Sequence, residues 1–358
     1  MQVLDPGARR VFHLCGHHRH SPLAPRRALR ESGDVTHSGG YVADPRFRAI
    51  EWLPWLLALL CFFVAPSYLP LGSYVLTMII FALSLDLVVG YAGIITLGHS
   101  AYFGAGAYIA GIFAARVSTE PLTGLAISTV GAGLLGLLTG VVILRTRGLA
   151  LLMLTLAITS LCLEFANKAT GWTGGADGLG GFAIQPILGL FKFDLFGKTA
   201  YLYCLVFLFA SWWLVRRMVY SPFGASLTGI RENDVRMNAV GAPVYMRLVV
   251  SYTISAALAG LAGALLTQTT QYVGLKVLGF ELSGELLVML ILGGIGRIYG
   301  AFVGPLVYLL AQDYLAKQFP EYWYFGIGMI LVLVVMFVRG GILGIVDAGI
   351  AKWRGASA

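Results

Sequence analysis

Ionisable side chains that could carry chemistry are few in the apolar stretches of this sequence. Asp86 is the one carboxylate well inside such a stretch, while Glu164 and Glu285 lie near the ends of others. Ionisable groups within a membrane are costly and usually mark ion or proton pathways. Asp86 fits either a place along a translocation path or a structural hydrogen bond to a neighbouring helix. Because coupled carriers usually bury several such groups, their scarcity disfavours a secondary transporter.

Three short patterns resemble functional motifs but fall short of them. His99 and Ser100 are adjacent, yet a nucleophile and its base must meet in space, which adjacency alone does not supply. The GKT at residues 197–199 lacks the glycine of a phosphate loop five positions earlier, where Lys192 stands. HLCGHHRH at residues 13–20 is either a metal site or a polar tail with incidental metal affinity. We expect no catalytic residue, no metal site, no cofactor and no ATP-binding motif in this chain.

Two glycine-rich runs interrupt the apolar sequence, at residues 90–108 and 292–304. Glycine lets a helix break or approach another helix closely. Such interruptions in corresponding parts of two halves point to a binding site near the membrane midplane of transporters. We therefore place a candidate translocation path at Asp86, Gly93, Gly98, His99, Gly293, Gly294 and Gly296. The alternative is ordinary close packing of helices, which we also expect at Gly136, Gly140, Ala256, Gly260 and Ala264.

Two loops between apolar stretches carry further information. TGWTGGADGLGG at residues 170–181 is too rich in glycine for a helix, and it is either a docking surface or a solvated connection. In the other loop, SPFG stops the preceding span and residues 225–240 read as one short helix that Gly241 and Pro243 end. Leu227, Ile230, Met237 and Val240 fall near one face of it. An amphipathic helix with acids among its charges favours a partner protein over a lipid surface.

The composition shows which kind of molecule must position these residues. Of the 358 residues 58% are apolar and only 12% are charged, whereas a soluble domain has roughly 25% charged residues. This excludes a soluble enzyme, a nucleic-acid binder and a disordered protein, since too little polar surface exists to coat a globule. We predict an all-α, polytopic bundle with Gly-interrupted helices and about ten spans, at 52–70, 73–91, 94–115, 121–144, 148–166, 200–218, 248–267, 284–296, 299–316 and 322–338.

Positive charge predicts the orientation of the bundle. With both termini in the cytoplasm, the inner side receives 19 Lys and Arg residues and the outer side six, and an excess of positive charge marks the cytoplasmic side. We accordingly expect a basic tail at residues 1–48, a membrane domain at 49–340 and a cytoplasmic tail at 341–358. The membrane domain carries an outer loop at 167–199 and a cytoplasmic loop at 219–247. The basic tail also raises the possibility that translation starts later, near Val35 or Val42.

Five segments together resemble a known family of membrane proteins. GYAGIITLGHSAYFGAGAY, RTRGLALLMLTLA, TGGADGL, GIRENDVRMNAVG and LGGIGRIYGAFVG occur in this order over about residues 45–345. The chain is similar to the branched-chain amino-acid type of ABC transporter permease, of the LivM type. Two departures stand out. The family commonly has Asn where Asp86 stands, and the N-terminal tail has no counterpart in the typical member.

The resemblance implies a multi-pass permease of the bacterial inner membrane that imports branched-chain or related hydrophobic and aromatic amino acids. It also implies a second, related permease subunit, two cytoplasmic ATPase subunits that use ATP, and a periplasmic binding protein. The cytoplasmic loop then docks on an ATPase, through Gly224, Ile230, Arg231, Glu232, Asn233, Arg236, Ala239 and Gly241. The outer loop is the expected docking surface for the binding protein, at Thr173, Gly174, Gly175 and Asp177.

Other functions stay open at this point. An ABC permease could carry another small cargo, such as urea, short amides or aromatic acids. A stand-alone carrier would take up substrate without partner subunits. An intramembrane enzyme would need a nucleophile and base, or metal ligands, brought together within the spans.

Overall fold

The computed structural model describes residues 52–64, 66–186, 197–337 and 340–344. Almost all regular structure in these residues is helical. The α-helices are α1 (Leu53–Val64), α2 (Leu69–Asp86), α3 (His99–Arg116), α4 (Pro121–Ile143), α5 (Leu149–Lys168), α6 (Thr170–Thr173), α7 (Lys198–Val219), α8 (Pro222–Glu232), α9 (Asp234–Ala239), α10 (Val244–Thr270), α11 (Phe280–Gly293), α12 (Gly300–Gln318) and α13 (Trp323–Phe337). Two short strands, β1 (Leu179–Gly180) and β2 (Tyr272–Val273), pair antiparallel.

Five of the described helices are long and apolar enough to cross a membrane, judged by length and composition. They are α2 together with the turn that follows it (Leu69–Tyr91), α4, α5, α7 and α10. This confirms the predicted helical membrane bundle, so the chain is a multi-pass membrane protein. The number of ten spans and the placement of both termini in the cytoplasm stay predictions. The tail at residues 1–48, with its His and Cys cluster, and most of the C-terminal tail lie outside the described residues.

Helix α2 forms the centre of the bundle. In the most apolar stretch of α2, 89% is buried inside the chain, whereas the corresponding share in α5 is 22%. A helix that is apolar on every side is stable only where other helices surround it or lipid does. Tyr68 and Leu69 precede Pro70, which occupies the first turn of α2, where a proline costs no hydrogen bond. The boundary between the first two predicted spans therefore lies a few residues earlier than expected.

Small residues let α10 pack closely against α3 and α4. A Cβ on Gly136 would lie 2.2 Å from the Cβ of Ala256, and one on Gly260 would lie 2.1 Å from that of Ala132. On the α3 side, a Cβ on Gly263 would lie 1.9 Å from the carbonyl oxygen of Phe103. Close packing of helices is the role we predicted for Gly136, Ala256 and Gly260. Their spacing is therefore accounted for without any ligand.

The connecting segments gather on two opposite faces of the bundle. On one face, α8 contacts the α2–α3 connection through Arg231, and α9 contacts the α4–α5 connection through Asp234. On the other, Gln185 N donates to the Thr119 carbonyl oxygen at 3.0 Å, and β1 beyond α6 pairs with β2 after α10. This sorting of the loops is the one that an up-and-down order of spans requires. We call the first the coupling face and the second the outer face.

Candidate functional site

Both glycine-rich runs contain a break in a helix. Helix α2 widens into a π-turn at Leu87–Tyr91, and the chain then leaves the helix until α3 begins at His99. Helix α11 ends at Gly293 and α12 begins at Gly300. Gly93, Gly294 and Gly296 have φ of +73°, +115° and +76°, values that glycine adopts without strain. The predicted Gly-interrupted helices are therefore present, and we call these segments break 1 (residues 87–98) and break 2 (residues 294–299).

Asp86 joins the two breaks. Its side chain is 1% exposed, and its Oδ1 accepts a hydrogen bond from the backbone N–H of Gly296 at 2.7 Å. Among the described residues no donor reaches the other oxygen, Oδ2. Of the two roles considered for Asp86, the structure shows the hydrogen bond to a neighbouring segment. The role of Asp86 in a translocation path stays a prediction.

Gly90 explains how the two breaks approach each other so closely. A Cβ at this position would lie 2.1 Å from Asp86 Oδ1 and 2.7 Å from the Gly296 nitrogen. Both distances are shorter than any real Cβ contact. A larger residue would therefore push the breaks apart or displace the Asp86 carboxylate.

The coupling segment, α8 and α9, differs from the single helix predicted at residues 225–240. Helix α8 begins at Pro222 behind the Ser221 cap, whose side chain accepts from Gly224 N at 3.4 Å. The segment then breaks at Asn233, which is extended at φ −159° and caps α9 by accepting from Arg236 N at 2.8 Å. Asn is a strong N-cap residue because its side chain satisfies a free N–H at the start of a helix. The prediction of one helix is therefore wrong, and two short helices take its place.

The residues predicted to share one apolar face of this segment do not all do so. Leu227 and Ile230 are buried against the bundle, whereas Val240 is 78% exposed. The turn at Asn233 changes the direction of the helix, so Val240 is not on the face that the single-helix pattern gave it. Gly241 ends α9 at φ +87°, as its predicted role as a helix stop requires. A Cβ on Gly224 would lie 2.1 Å from the Val219 carbonyl oxygen, so glycine lets α8 turn tightly away from α7.

Arg231 connects the coupling segment to break 1. Its Nη1 donates to the carbonyl oxygen of Gly90. Its stem covers Gly93, where a Cβ would lie 2.5 Å from Arg231 Cγ, and its Nη1 lies 3.1 Å from the position of a Cβ on Gly296. The segment is also tied to the α4–α5 connection by an ion pair between Arg147 and Asp234. Arg231 is itself exposed on the surface of the coupling face, as are Glu232, Asn233, Arg236 and Ala239.

A cavity of about 850 Å³ opens beside Arg231 on the coupling face. Break 1, the start of α5, the coupling segment and the start of α10 form its walls. Apolar residues such as Ile94, Ile95 and Leu152 line it together with the charged Arg147, Glu232 and Asp234. The walls of the cavity therefore combine apolar and charged side chains.

His99 lies at the start of α3 and is buried. Its Nε2 is 2.9 Å from Ser84 Oγ and 3.3 Å from Ser255 Oγ, so it hydrogen-bonds across helices. The Ser84 hydroxyl itself donates to the Phe81 carbonyl oxygen at 2.6 Å, and so its proton is not directed at the imidazole. No described residue orients His99 Nδ1. Ser84 and His99 consequently lack the geometry of a nucleophile and its base.

Other residues of the predicted path contribute close helix contacts. A Cβ on Gly98 would lie 2.6 Å from the Thr155 carbonyl oxygen of α5. A Cβ on Gly293 would lie 1.9 Å from the Gly300 carbonyl oxygen, so the two halves of the α11–α12 pair touch through backbone. Ser100 N donates to Ser283 Oγ at 2.8 Å and so ties α3 to α11. The helix ends that flank both breaks are therefore closely packed.

The outer loop is more ordered than its glycine content indicated. Residues Thr170–Thr173 form one helical turn and Gly175–Asp177 a 3₁₀ turn, so the prediction that no helix forms here is wrong. Glycines between the two turns allow the chain to pass from one to the other, because Gly174 and Gly175 have φ of +76° and +59°. Thr173 is buried and donates to the Ala166 carbonyl oxygen at 2.5 Å, whereas Asp177 is exposed. The Tyr272 hydroxyl donates to the Asp177 carbonyl oxygen at 3.0 Å and pins the loop.

Sequence reasoning missed several residues that hold this site together. The hydroxyls of Tyr102 and Tyr252 lie 3.0 Å apart, and Tyr102 also bonds Thr139 at 2.7 Å, which links α3, α4 and α10. Tyrosines in an apolar stretch normally find such partners, but nothing in the sequence identifies which ones. Among the described residues, no group of three His, Cys, Asp or Glu side chains could hold a metal ion.

Comparisons with known proteins agree with the predicted resemblance. The family model described as "Branched-chain amino acid transport system / permease component" matches residues 69–335. The chain is 25% identical over 303 residues to the high-affinity branched-chain amino acid transport system permease protein LivM of Escherichia coli (strain K12), covering 79% of this chain and 71% of LivM. It is 22% identical over 315 residues to the probable branched-chain amino acid transport permease protein LivM of Methanocaldococcus jannaschii, covering 74% and 89%.

A shorter similarity extends to a different permease protein. The chain is 29% identical over 129 residues to the LivH permease protein of the high-affinity branched-chain amino acid transport system of Salmonella typhi, covering 35% of this chain and 41% of LivH. No solved structure matches the chain. The family model spans both helix breaks and the coupling segment. On this evidence, the chain belongs to the permease family of branched-chain amino acid ABC transport systems.

Proposed function

We propose that this chain is one permease subunit of an ABC importer in a bacterial inner membrane, and that it brings branched-chain or related hydrophobic and aromatic amino acids into the cytoplasm. A second, related permease completes the pore, two ATPase subunits bind the coupling face and hydrolyse ATP, and a periplasmic binding protein delivers the cargo. The chain itself hydrolyses no ATP and holds no cofactor. The coupling face is cytoplasmic, in keeping with the distribution of positive charge.

The observation that carries this proposal is the contact between the coupling segment and break 1. The outer surface of this segment carries polar side chains together with the exposed Val235 and Val240, and its inner surface binds the central helix. It is therefore placed to pass motion between a soluble partner and the bundle. Leu227 and Ile230 anchor it by burial, and Arg231 reaches the Gly90 carbonyl oxygen. Glu232, Asn233, Arg236 and Ala239 face outward, where an ATPase could contact them.

The two breaks also suit the chemistry of the cargo. A zwitterionic amino acid needs donors for its carboxylate and acceptors for its ammonium group. Broken helices present backbone N–H and carbonyl groups that no helix turn has used. Such a path needs few ionisable side chains, in agreement with the 12% of charged residues in the chain. The cavity beside Arg231, with walls both apolar and charged, would receive the cargo on the cytoplasmic side.

The outer face supplies the surface for the binding protein in this proposal. The loop around Thr173, Gly174, Gly175 and Asp177 is held in one shape by β1, β2 and the Tyr272 hydroxyl. Trp172 is exposed beside it, with the Arg116 guanidinium 4.3 Å from its ring centroid. Exposed aromatic and arginine side chains are enriched where proteins bind each other.

Reconstitution tests the function directly. The chain is co-expressed with the adjacent permease and ATPase genes of its genome, and the purified complex is placed in vesicles with the binding protein. We expect ATP-dependent uptake of labelled leucine. Competition by unlabelled isoleucine, phenylalanine, urea and acetamide then identifies the cargo class. Uptake of urea or an amide in place of leucine would support the alternative cargo, and uptake by the chain alone on a gradient would support a secondary carrier.

A further inference from the structure

The contacts around break 1 carry an inference about Asp86 that goes beyond the proposed importer function and rests on it. We propose that Asp86 and Arg231 form a compensating charge pair that holds both helix breaks at one junction. In this proposal Asp86 is a positioning residue of the transport cycle and not a ligand of the cargo.

The first step of the argument concerns the buried charge of Asp86. The carboxylate is almost fully enclosed, and Gly296 N–H is its hydrogen-bond donor. A buried carboxylate stays ionised only where a cation lies near it, because an uncompensated charge in an apolar interior costs several kcal/mol. Arg231 brings a guanidinium to the same junction, where its Nη1 donates to the Gly90 carbonyl oxygen. Its Nη1 lies 3.1 Å from where a Gly296 Cβ would stand, and Gly296 is the residue that Asp86 binds.

The second step is that the pair binds each break from a different side. Asp86 holds break 2 through Gly296, and Arg231 holds break 1 through Gly90. Gly90 stands between them, since a Cβ there would touch both Asp86 Oδ1 and the Gly296 nitrogen. Of these residues, Arg231 alone belongs to the coupling segment. A movement of that segment therefore alters the compensation of Asp86 and the position of both breaks together.

The third step concerns Asp86 Oδ2, to which no described residue donates. Arg231 now donates to the Gly90 carbonyl oxygen, and a guanidinium has several further N–H donors. In this proposal, a shift of the coupling segment passes a donor of Arg231 to Oδ2. The pair then has two arrangements, which a coupling element requires if it is to respond to movement of a partner.

A double-mutant cycle in the full complex tests the pair. Asp86→Asn keeps an oxygen that can accept from Gly296 N–H and removes the charge, while Arg231→Gln removes the positive charge. Arg231→Gln should leave the carboxylate uncompensated and lower the maximal uptake of labelled leucine about tenfold or more. Adding Asp86→Asn should restore much of that loss, since the remaining charge is then gone. If the double variant takes up leucine no faster than Arg231→Gln alone, the proposed charge pair is overturned.

The dependence of uptake on cargo concentration separates positioning from cargo binding. If Asp86 positions the breaks, Asp86→Asn should change the maximal rate and the uptake per ATP hydrolysed, with the KM for leucine unchanged. A raised KM at an unchanged maximal rate would mean that Asp86 binds the cargo, and would overturn the proposal.

A distance measurement tests the junction independently of transport. Ile95 of break 1 and Ile295 of break 2 are both exposed and can be replaced by cysteine and spin-labelled, after the native cysteines are removed. In nanodiscs the full chain should give one narrow distance, which Arg231→Gln broadens and the double variant narrows again. Identical distributions in all variants would overturn the pair. If the wild-type complex takes up no leucine but this pattern appears, the proposed function fails and the junction stands.

Discussion

The guanidinium of Arg231 donates a hydrogen bond to the carbonyl oxygen of Gly90, which lies 141 residues earlier in the chain. Gly90 lies in the π-turn that ends the most deeply buried helix of the bundle. Carbonyl groups at the end of a helix have no intrahelical donor and need a partner from elsewhere. Arg231 supplies that partner from a surface segment. The single side chain of Arg231 thus joins the coupling segment directly to the end of the central helix α2.

Arg231→Glu should uncouple transport from ATP hydrolysis. The substitution removes the donor to Gly90 and places a second negative charge near Asp86, which repels it in an apolar environment. We expect the variant to insert in the membrane and to co-purify with the ATPases, because Leu227 and Ile230 still anchor the segment. Uptake of labelled leucine in vesicles should fall at least about tenfold while ATP is still hydrolysed. Wild-type uptake per ATP in this variant would contradict the assignment of Arg231.

Glu232→Arg should act on the partner side of the same segment. Glu232 is exposed and also lines the cavity beside Arg231, so its reversal alters the charge that the coupling face offers to an ATPase. Charge reversal at the rim of an interface mainly slows association and changes its salt dependence. We expect less ATPase subunit to co-purify with this variant, with normal insertion. Full recovery of the ATPases at all salt concentrations, together with unchanged uptake, would show that Glu232 does not face them.

Gly90→Ala should be among the most damaging small substitutions in the chain. Its Cβ would lie 2.1 Å from Asp86 Oδ1, and overpacking of a tight site typically costs about 1–3 kcal/mol. The matched control is Gly284→Ala in α11, where nothing lies within 4 Å of the added Cβ and helix propensity favours alanine. Thermal unfolding in detergent should show a lower midpoint temperature for Gly90→Ala than for the wild type. The midpoint of the Gly284→Ala control should not fall. Equal midpoints would mean that the two breaks do not pack as described.

The sequence predicted the elements of this site better than their contacts. Glycine and proline punctuation indicated both breaks and the coupling loop, because these residues act on the local backbone. The contact from Arg231 to Gly90 could not be predicted, since it joins positions far apart in the chain and depends on how α8 packs. The split at Asn233 had a local signal, the Asn-Asp pair at residues 233–234, which is typical of a helix start. The single-helix interpretation gave that signal too little weight.

The outer loop shows the opposite limit of a composition argument. Its glycines indicated an irregular connection, and yet Gly174, Gly175 and Gly178 permit the tight turns that order it. Whether glycine loosens or fixes a loop depends on what packs around it. Here the support comes from strand β2, whose Tyr272 lies 95 residues after its hydrogen-bond partner Asp177. No pattern within the loop could have indicated that support.

Cysteine labelling should place the two faces on opposite sides of the membrane. Asn238 on the coupling face and Ala176 on the outer face are both exposed, and each can be replaced by cysteine after the native cysteines are removed. In intact cells whose outer membrane is permeable to the reagent, an impermeant maleimide should label the cysteine at 176 but label that at 238 only after lysis. The reversed pattern would overturn the orientation with both termini in the cytoplasm.

Asp177→Lys should weaken the action of the binding protein without disturbing the loop itself. The backbone carbonyl of Asp177 accepts from Tyr272, while its side chain is exposed, so the substitution changes the charge of the surface and leaves the hydrogen bond that pins the loop. Reversal of a charge in an interface changes the rate of association most strongly at low salt, where screening is weak. We therefore expect the concentration of binding protein needed for half-maximal uptake to rise severalfold at low ionic strength and much less at high ionic strength.

Tyr272→Phe is the matched variant, because it removes the pinning hydroxyl and keeps the surface charge, and its effect should not depend on salt. If Asp177→Lys leaves the half-maximal concentration unchanged at every salt concentration, the binding protein docks elsewhere on the outer face.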